Sequence, residues 1–186
     1  EAARIRMGIE NHKDFSLEEH VALLKEHSSE YLGSCIDTGN SIALLEDPME
    51  VIGRLAPFGV SSHLKDVVLE EYEDGFLLGD IPLGDGMMDL KRVVATMRNH
   101  RPKLFITLEM ITRDALKIPC LTEKYWATFP DKNGVHLART LRMVRANKPK
   151  APLQKVSGEP PEAVRRMETE NVSRSLRYAR EGLGLV

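Results

Sequence analysis

The sequence predicts an α/β fold built on a parallel sheet, and two observations carry that prediction. Four short apolar runs, at residues 5–9, 32–36, 59–62 and 104–108, alternate with helix-like segments. Each of those segments also opens on a helix-start signal. A strand followed by a helix and then another strand needs a crossover connection, and crossovers join parallel strands.

The elements follow in order. After the first run, Ser16 and Glu19 form a capping box ahead of Val21, Leu23 and Leu24. After the second, Asp47 stands at N-cap, Pro48 at N1 and Glu50 at N3. Residues 67–82 interrupt the rhythm; rich in acids and aromatics, they are expected to be an excursion over the strand ends. Asp89 then opens a helix carrying Leu90, Val93, Val94 and Met97. Beyond the fourth run, Thr122 opens a segment expected to stay helical through Arg145. Residues 147–161, rich in Lys and Pro, predict an exposed linker. The helical spacing of Val164, Met167, Val172, Leu176 and Ala179 predicts an appended C-terminal helix.

Composition narrows the function. The 186 residues are 42% hydrophobic and 29% charged, enough for a buried core. A formal charge of -2 and a pI near 6.4 argue against a nucleic-acid partner, whose binder is normally basic. No apolar run approaches the roughly 18 residues of a membrane span, and no signal peptide is in view, so a cytoplasmic protein without a membrane partner is expected. Cys35 and Cys120 lie far apart without CxxC spacing and are expected to be reduced core residues.

The chemistry is expected where each strand ends. Ile9 is followed by Glu10, Ile36 by Asp37, Ser62 by His63, and Leu108 by Glu109. In parallel α/β folds the C-terminal strand ends form the functional face, so three carboxylates and one imidazole would converge there. Asp and Glu number 28 and His 6 in 186 residues. Four such matches by chance arise in roughly one arrangement in a thousand, before allowing for the choice of register. Three oxygen donors and one nitrogen donor suit one divalent ion, Mn²⁺ foremost, with Mg²⁺, Co²⁺ and Zn²⁺ also accommodated. An octahedral ion with four protein ligands keeps two positions for adjacent oxygens of a hydroxy-ketone, and polarising its carbonyl stabilises an enediolate. A phosphodiester hydrolase would call for a multi-metal site with more histidines, and one strand-end histidine counts against it.

The motifs Gly8-Ile9-Glu10-Asn11-His12, Asp37-Thr38-Gly39-Asn40, His63-Leu64-Lys65-Asp66 and Pro82-Leu83-Gly84-Asp85-Gly86, with Glu109 ending the last strand, resemble the sugar phosphate isomerase/epimerase family. This is the xylose-isomerase-like TIM barrel group. The resemblance covers most of residues 4–130, and residues 170–183 look like the family's closing helix. It implies the C-terminal half of a (β/α)8 barrel, about four βα units, with an appended helix. The expected division is a partial barrel with a metal site over residues 1–146, a linker over 147–161 and a helix over 162–186. Carried over by motif, the metal ligands are Glu10, Asp37, His63 and Glu109, and Glu10 and Glu109 double as the proton-transfer pair.

The activity so implied is a metal-dependent isomerase or epimerase of a sugar or polyol derivative. The alternatives are a lyase or dehydratase of a keto-sugar or inosose, and an inactive half-barrel or binding subunit. The chain departs from the ketose 3-epimerases of the group, which carry His where Asn40 stands and Arg where Leu69 stands. His12, two residues past Glu10, Lys65, two past His63, and Arg113 beyond Glu109 are candidate contacts for a small carbohydrate substrate. Four strands would leave two open sheet edges, which pairing as a homo-oligomer would cover.

Overall fold

The computed structural model describes residues 4–129 and 132–185. These divide into two compact units. The first runs up to Lys65 and takes in Asp89–Glu109; the second comprises Asp66–Met88 and everything from Met110 onward.

The first unit holds the parallel sheet. Its strands are β1 (Met7–Glu10), β2 (Leu32–Asp37), β3 (Gly59–Leu64) and β6 (Phe105–Leu108), in the order β1-β2-β3-β6 with every pairing parallel. The first strand starts two residues later than the apolar run implied, and Ile5 is 72% exposed. Helix α1 (Leu17–Glu26) begins on the full Ser16–Glu19 capping box. Helix α2 (Pro48–Leu55) begins where the Asp47 carboxylate accepts the amides of Met49 and Glu50. Helix α3 (Leu90–His100) begins with Asp89 accepting the Arg92 amide. Satisfying these first-turn donors fixes where each helix starts.

From there the i, i+3, i+4 spacing turns Leu17, Val21 and Leu24, Val51, Ile52 and Leu55, and Leu90, Val93, Val94 and Met97 inward. All of these are buried, as is Ile36 of β2. Each such side chain contributes about 1.5–3 kcal/mol by leaving water. This helix layer fixes the sheet, and the sheet fixes what stands at its C-terminal edge.

The second unit corrects two expectations. Residues 67–82 form a regular hairpin, β4 (Asp66–Tyr72) and β5 (Gly75–Ile81), with Tyr72 facing Gly75 across a two-residue turn. The third strand of this antiparallel sheet is β7 (Leu116–Ile118). Val67, Leu69, Phe76 and Leu78 give the hairpin a buried face, which outweighs the acid-rich composition. The segment expected to be one helix from Thr122 to Arg145 is two, α4 (Glu123–Trp126) and α5 (Gly134–Ala146). Pro130 falls inside that segment, where proline removes a helix donor and clashes with the preceding turn; Pro130 and Asp131 themselves lie outside the described residues. Thr122 makes no side-chain cap, its hydroxyl donating instead to the Pro119 carbonyl at 2.8 Å, while Asn133 caps α5.

Residues 147–160 carry no helix or strand, and α6 spans Pro161–Glu181. Its Ser175 hydroxyl accepts the Leu83 amide at 3.2 Å, and Tyr178 lies against Gly84. Gly84 has φ +90°, and a Cβ there would fall 2.4 Å from the Tyr178 ring, so this position requires glycine. Both cysteines are free and buried, as expected. Burial pushes the Cys120 thiol up to about 11 and also raises Cys35. No described helix is long and apolar enough to cross a membrane.

Candidate metal centre

The parallel register sets the side chains. Asp37 pairs with His63 across β2 and β3, and Glu10 ends β1 beside Cys35. The ladder continues past β6, where the Glu109 amide donates to the Leu64 carbonyl at 3.0 Å. Four ends of neighbouring strands thus carry Glu10, Asp37, His63 and Glu109 into one place. One donor atom from each lies within 4.8 Å of all the others.

Each carboxylate has one oxygen engaged by the protein. Glu10 Oε1 accepts from Asn40 Nδ2 at 3.0 Å. Asp37 Oδ1 accepts the amides of Gly39 and Asn40 at 2.8 and 2.7 Å. Glu109 Oε1 accepts from Lys65 Nζ at 2.9 Å. Their second oxygens behave differently. Asp37 Oδ2, Glu109 Oε2 and His63 Nδ1 are buried without a hydrogen-bond partner. They are nevertheless crowded: His63 Nδ1 stands 2.9 Å from Glu109 Oε2 and 3.6 Å from Glu10 Oε2. Lys65 Nζ is 3.0 Å from Asp37 Oδ2, a charge contact outside hydrogen-bond geometry.

Buried polar atoms normally find partners, and leaving one without costs about 1–3 kcal/mol. Three in one cluster, all electron-pair donors turned towards one another, fit a hard or borderline divalent cation. The electrostatics agree. Burial pushes the Asp37 carboxyl up to about 6 despite the pull of Lys65 and the Gly39 and Asn40 amides. Burial also raises Glu109, but the hydrogen bond and charge of Lys65 and the charge of His63 outweigh it, leaving that carboxyl below its usual value.

The remaining expected residues are placed differently. Lys65 is 3% exposed and its ammonium touches two of the four cluster residues. His12 is exposed to solvent beside the chain of β1. Arg113 belongs to the second unit, where it pairs with the half-buried Asp80 at 3.0 Å. Two residues of the quoted motifs that were given no role, Asn11 and Asn40, shape the cluster. Asn11, 5% exposed, donates to the Asp37 carbonyl at 2.9 Å and accepts its amide at 2.8 Å, fixing the backbone that carries the carboxylate. Asn40 links Glu10 to Lys13, whose ammonium donates to Asn40 Oδ1 at 2.6 Å. The signal for both was adjacency to a strand-end acid within Glu10-Asn11 and Asp37-Thr38-Gly39-Asn40.

A parallel βα sheet with three carboxylates and one imidazole at its C-terminal edge defines a partial (β/α) barrel with a candidate divalent-metal site. The chain belongs to the xylose isomerase-like TIM barrel family, whose model matches residues 1–134. It is 33% identical over 100 residues to 3-oxo-isoapionate decarboxylase of Pectobacterium atrosepticum, covering 53% of this chain and 36% of that protein. In fold it resembles a xylose isomerase-like TIM barrel protein from Mycobacterium smegmatis, solved in complex with magnesium. That likeness has TM-score 0.52 and 16% identity, covering 74% of this chain and 45% of the other. A xylose isomerase domain protein from Planctomyces limnophilus matches with TM-score 0.47 and 15% identity over 76% and 44% of the two chains. The chain therefore spans between about a third and a half of the length of these relatives.

Proposed function

We propose that this chain carries the metal centre of an isomerase or epimerase acting on a keto-sugar or polyol derivative. The observation that carries the proposal is the set of donor atoms from Glu10, Asp37, His63 and Glu109 within 4.8 Å of one another. These four residues would hold one divalent ion. Mn²⁺ is our first choice, and the magnesium complex of the Mycobacterium relative keeps Mg²⁺ beside it. Bound there, such an ion would polarise the carbonyl of a hydroxy-ketone and so acidify the neighbouring C–H.

The chain's own residues would move that proton. Glu10 and Glu109 come from the first and last strands of the sheet, so they approach a substrate from two sides. One takes the α-proton and the other returns it, which is what epimerisation needs. Asn40 and Lys65 orient the two carboxylates through their Oε1 atoms.

A second reading is a lyase, and a specific observation favours it: the 33% identical relative is a decarboxylase. When a 2-hydroxy-3-oxo acid loses CO2, the C–C bonding pair passes to the carbonyl and gives the same kind of enediolate, which then takes a proton at carbon. That route needs one proton donor and no initial base. The test is to incubate the full chain with Mn²⁺ in D2O, offering keto-sugars, inososes and a 3-oxo sugar acid. Metal-dependent exchange of an α-proton supports the isomerase or epimerase. Release of CO2 without such exchange supports the lyase. Neither, from protein shown to hold metal, overturns both.

A further inference from the structure

Among the described residues, one cation is buried at the cluster, and it is not a ligand. Lys65 is 3% exposed, with its ammonium 2.9 Å from Glu109 Oε1 and 3.0 Å from Asp37 Oδ2. Its backbone is held as firmly: the Lys65 amide donates to Thr38 Oγ1, and that hydroxyl donates to the Lys65 carbonyl, both at 2.9 Å. A lysine so buried and so fixed is unusual, because the ammonium is strongly hydrated and its stem rich in rotamers. Two ionised carboxylates are what offsets its burial.

We propose that Lys65 is the positioning residue that sets both the charge and the coordination mode of the metal centre. The proposal rests on the metal-site reading above. Three carboxylates around a divalent ion leave one negative charge in excess, with the imidazole neutral. The Lys65 ammonium cancels that excess. A neutral centre accepts the negative charge that develops on a substrate oxygen during enolisation, whereas an anionic one repels it. The same ammonium occupies Glu109 Oε1, so that carboxylate cannot swing to offer both oxygens to one ion. Lys65 thereby lowers affinity for the ion while raising what the ion can do, since like charges repel in a poorly solvated site.

This sign separates the proposal from a merely structural role. Removing a structural lysine loosens the cluster and weakens metal binding. Removing a charge-setting lysine strengthens it. The test uses Co²⁺ as probe, comparing the wild-type chain with Lys65→Met by competition against a chromophoric chelator, by the visible d–d spectrum, and by thermal melting. We expect the metal-free variant to melt lower, with two carboxylates left without their counter-ion. We expect its Co²⁺ dissociation constant to fall about tenfold or more. Its spectrum should change as the released Glu109 Oε1 joins the ion.

Unchanged or weaker binding with an unchanged spectrum overturns the proposal while leaving the metal site standing. Wild-type protein that takes up no Co²⁺ overturns the metal-site reading and this proposal with it. Should Lys65→Met not fold, Lys65→Gln keeps a donor for Glu109 without the charge and carries the same expectation: tighter binding upholds the proposal, and equal or weaker binding overturns it.

Discussion

Asp37 and Asp66 are both fully buried aspartates, one in each unit, and their surroundings are opposite. Asp66 has every direction filled: Oδ1 accepts the amides of Val67 and Met88, and Oδ2 those of Gly84 and Gly86, at 2.9–3.0 Å. A Cβ at Gly86 would come within 2.2 Å of that carboxylate, so the loop has closed tightly on it. Asp37 receives two amides on Oδ1 and leaves Oδ2 without a hydrogen-bond partner, beside two more such atoms. The first arrangement spends a carboxylate on holding a loop. The second keeps one oxygen for something else. Burial alone does not distinguish a structural acid from a functional one; the accounting of its lone pairs does.

The comparison can be broken by mutation. Asp66→Ala strips four amides of their acceptor, two of them buried. The expected cost is about 3–5 kcal/mol of stability, the range seen when one side of a buried charged network is removed. Thermal melting should show that loss, while the rise in Tm on adding Mn²⁺ survives in whatever protein folds. Equal damage to both properties would mean the two aspartates share one task.

A smaller effect sharpens the other side. Asn11→Ala removes the two hydrogen bonds that fix the Asp37 backbone. It is expected to weaken metal binding roughly tenfold, as losing a group that orients a ligand does. Calorimetric titration with Mn²⁺ checks it, and unaltered affinity would make Asn11 a purely structural bridge.

How much was legible beforehand follows the same physics. The strand ends were legible because a parallel βα rhythm places its functional residues at one recurring position, directly after each apolar run. The caps at Ser16, Asp47 and Asp89 were legible because capping is local. The hairpin of β4 and β5 was missed because Glu70, Glu71, Glu73 and Asp74 dominated the composition. Asp74-Gly75, a hairpin turn signal, lay between its two apolar runs. The break between α4 and α5 was missed by following periodicity across a proline. Asn11 and Asn40 offered only nearness to a strand-end acid, which gives an asparagine no spacing of its own. Their value depends on which backbone or carboxylate folds against them. Lys65 was singled out as a substrate contact, yet its engagement with Asp37 and Glu109 emerges only when three strands stand side by side.

If the four strand-end residues form one metal centre, metal content and thermal stability report it together. The wild-type chain and Glu109→Ala should be melted with and without Mn²⁺, and their bound metal counted. About one ion per wild-type chain is expected, with a raised Tm. Neither is expected of the variant, since a lost ligand costs more than the roughly 10–100-fold of losing a group that only orients one. Wild-type protein indifferent to Mn²⁺, or a variant that binds and is stabilised equally, would contradict it.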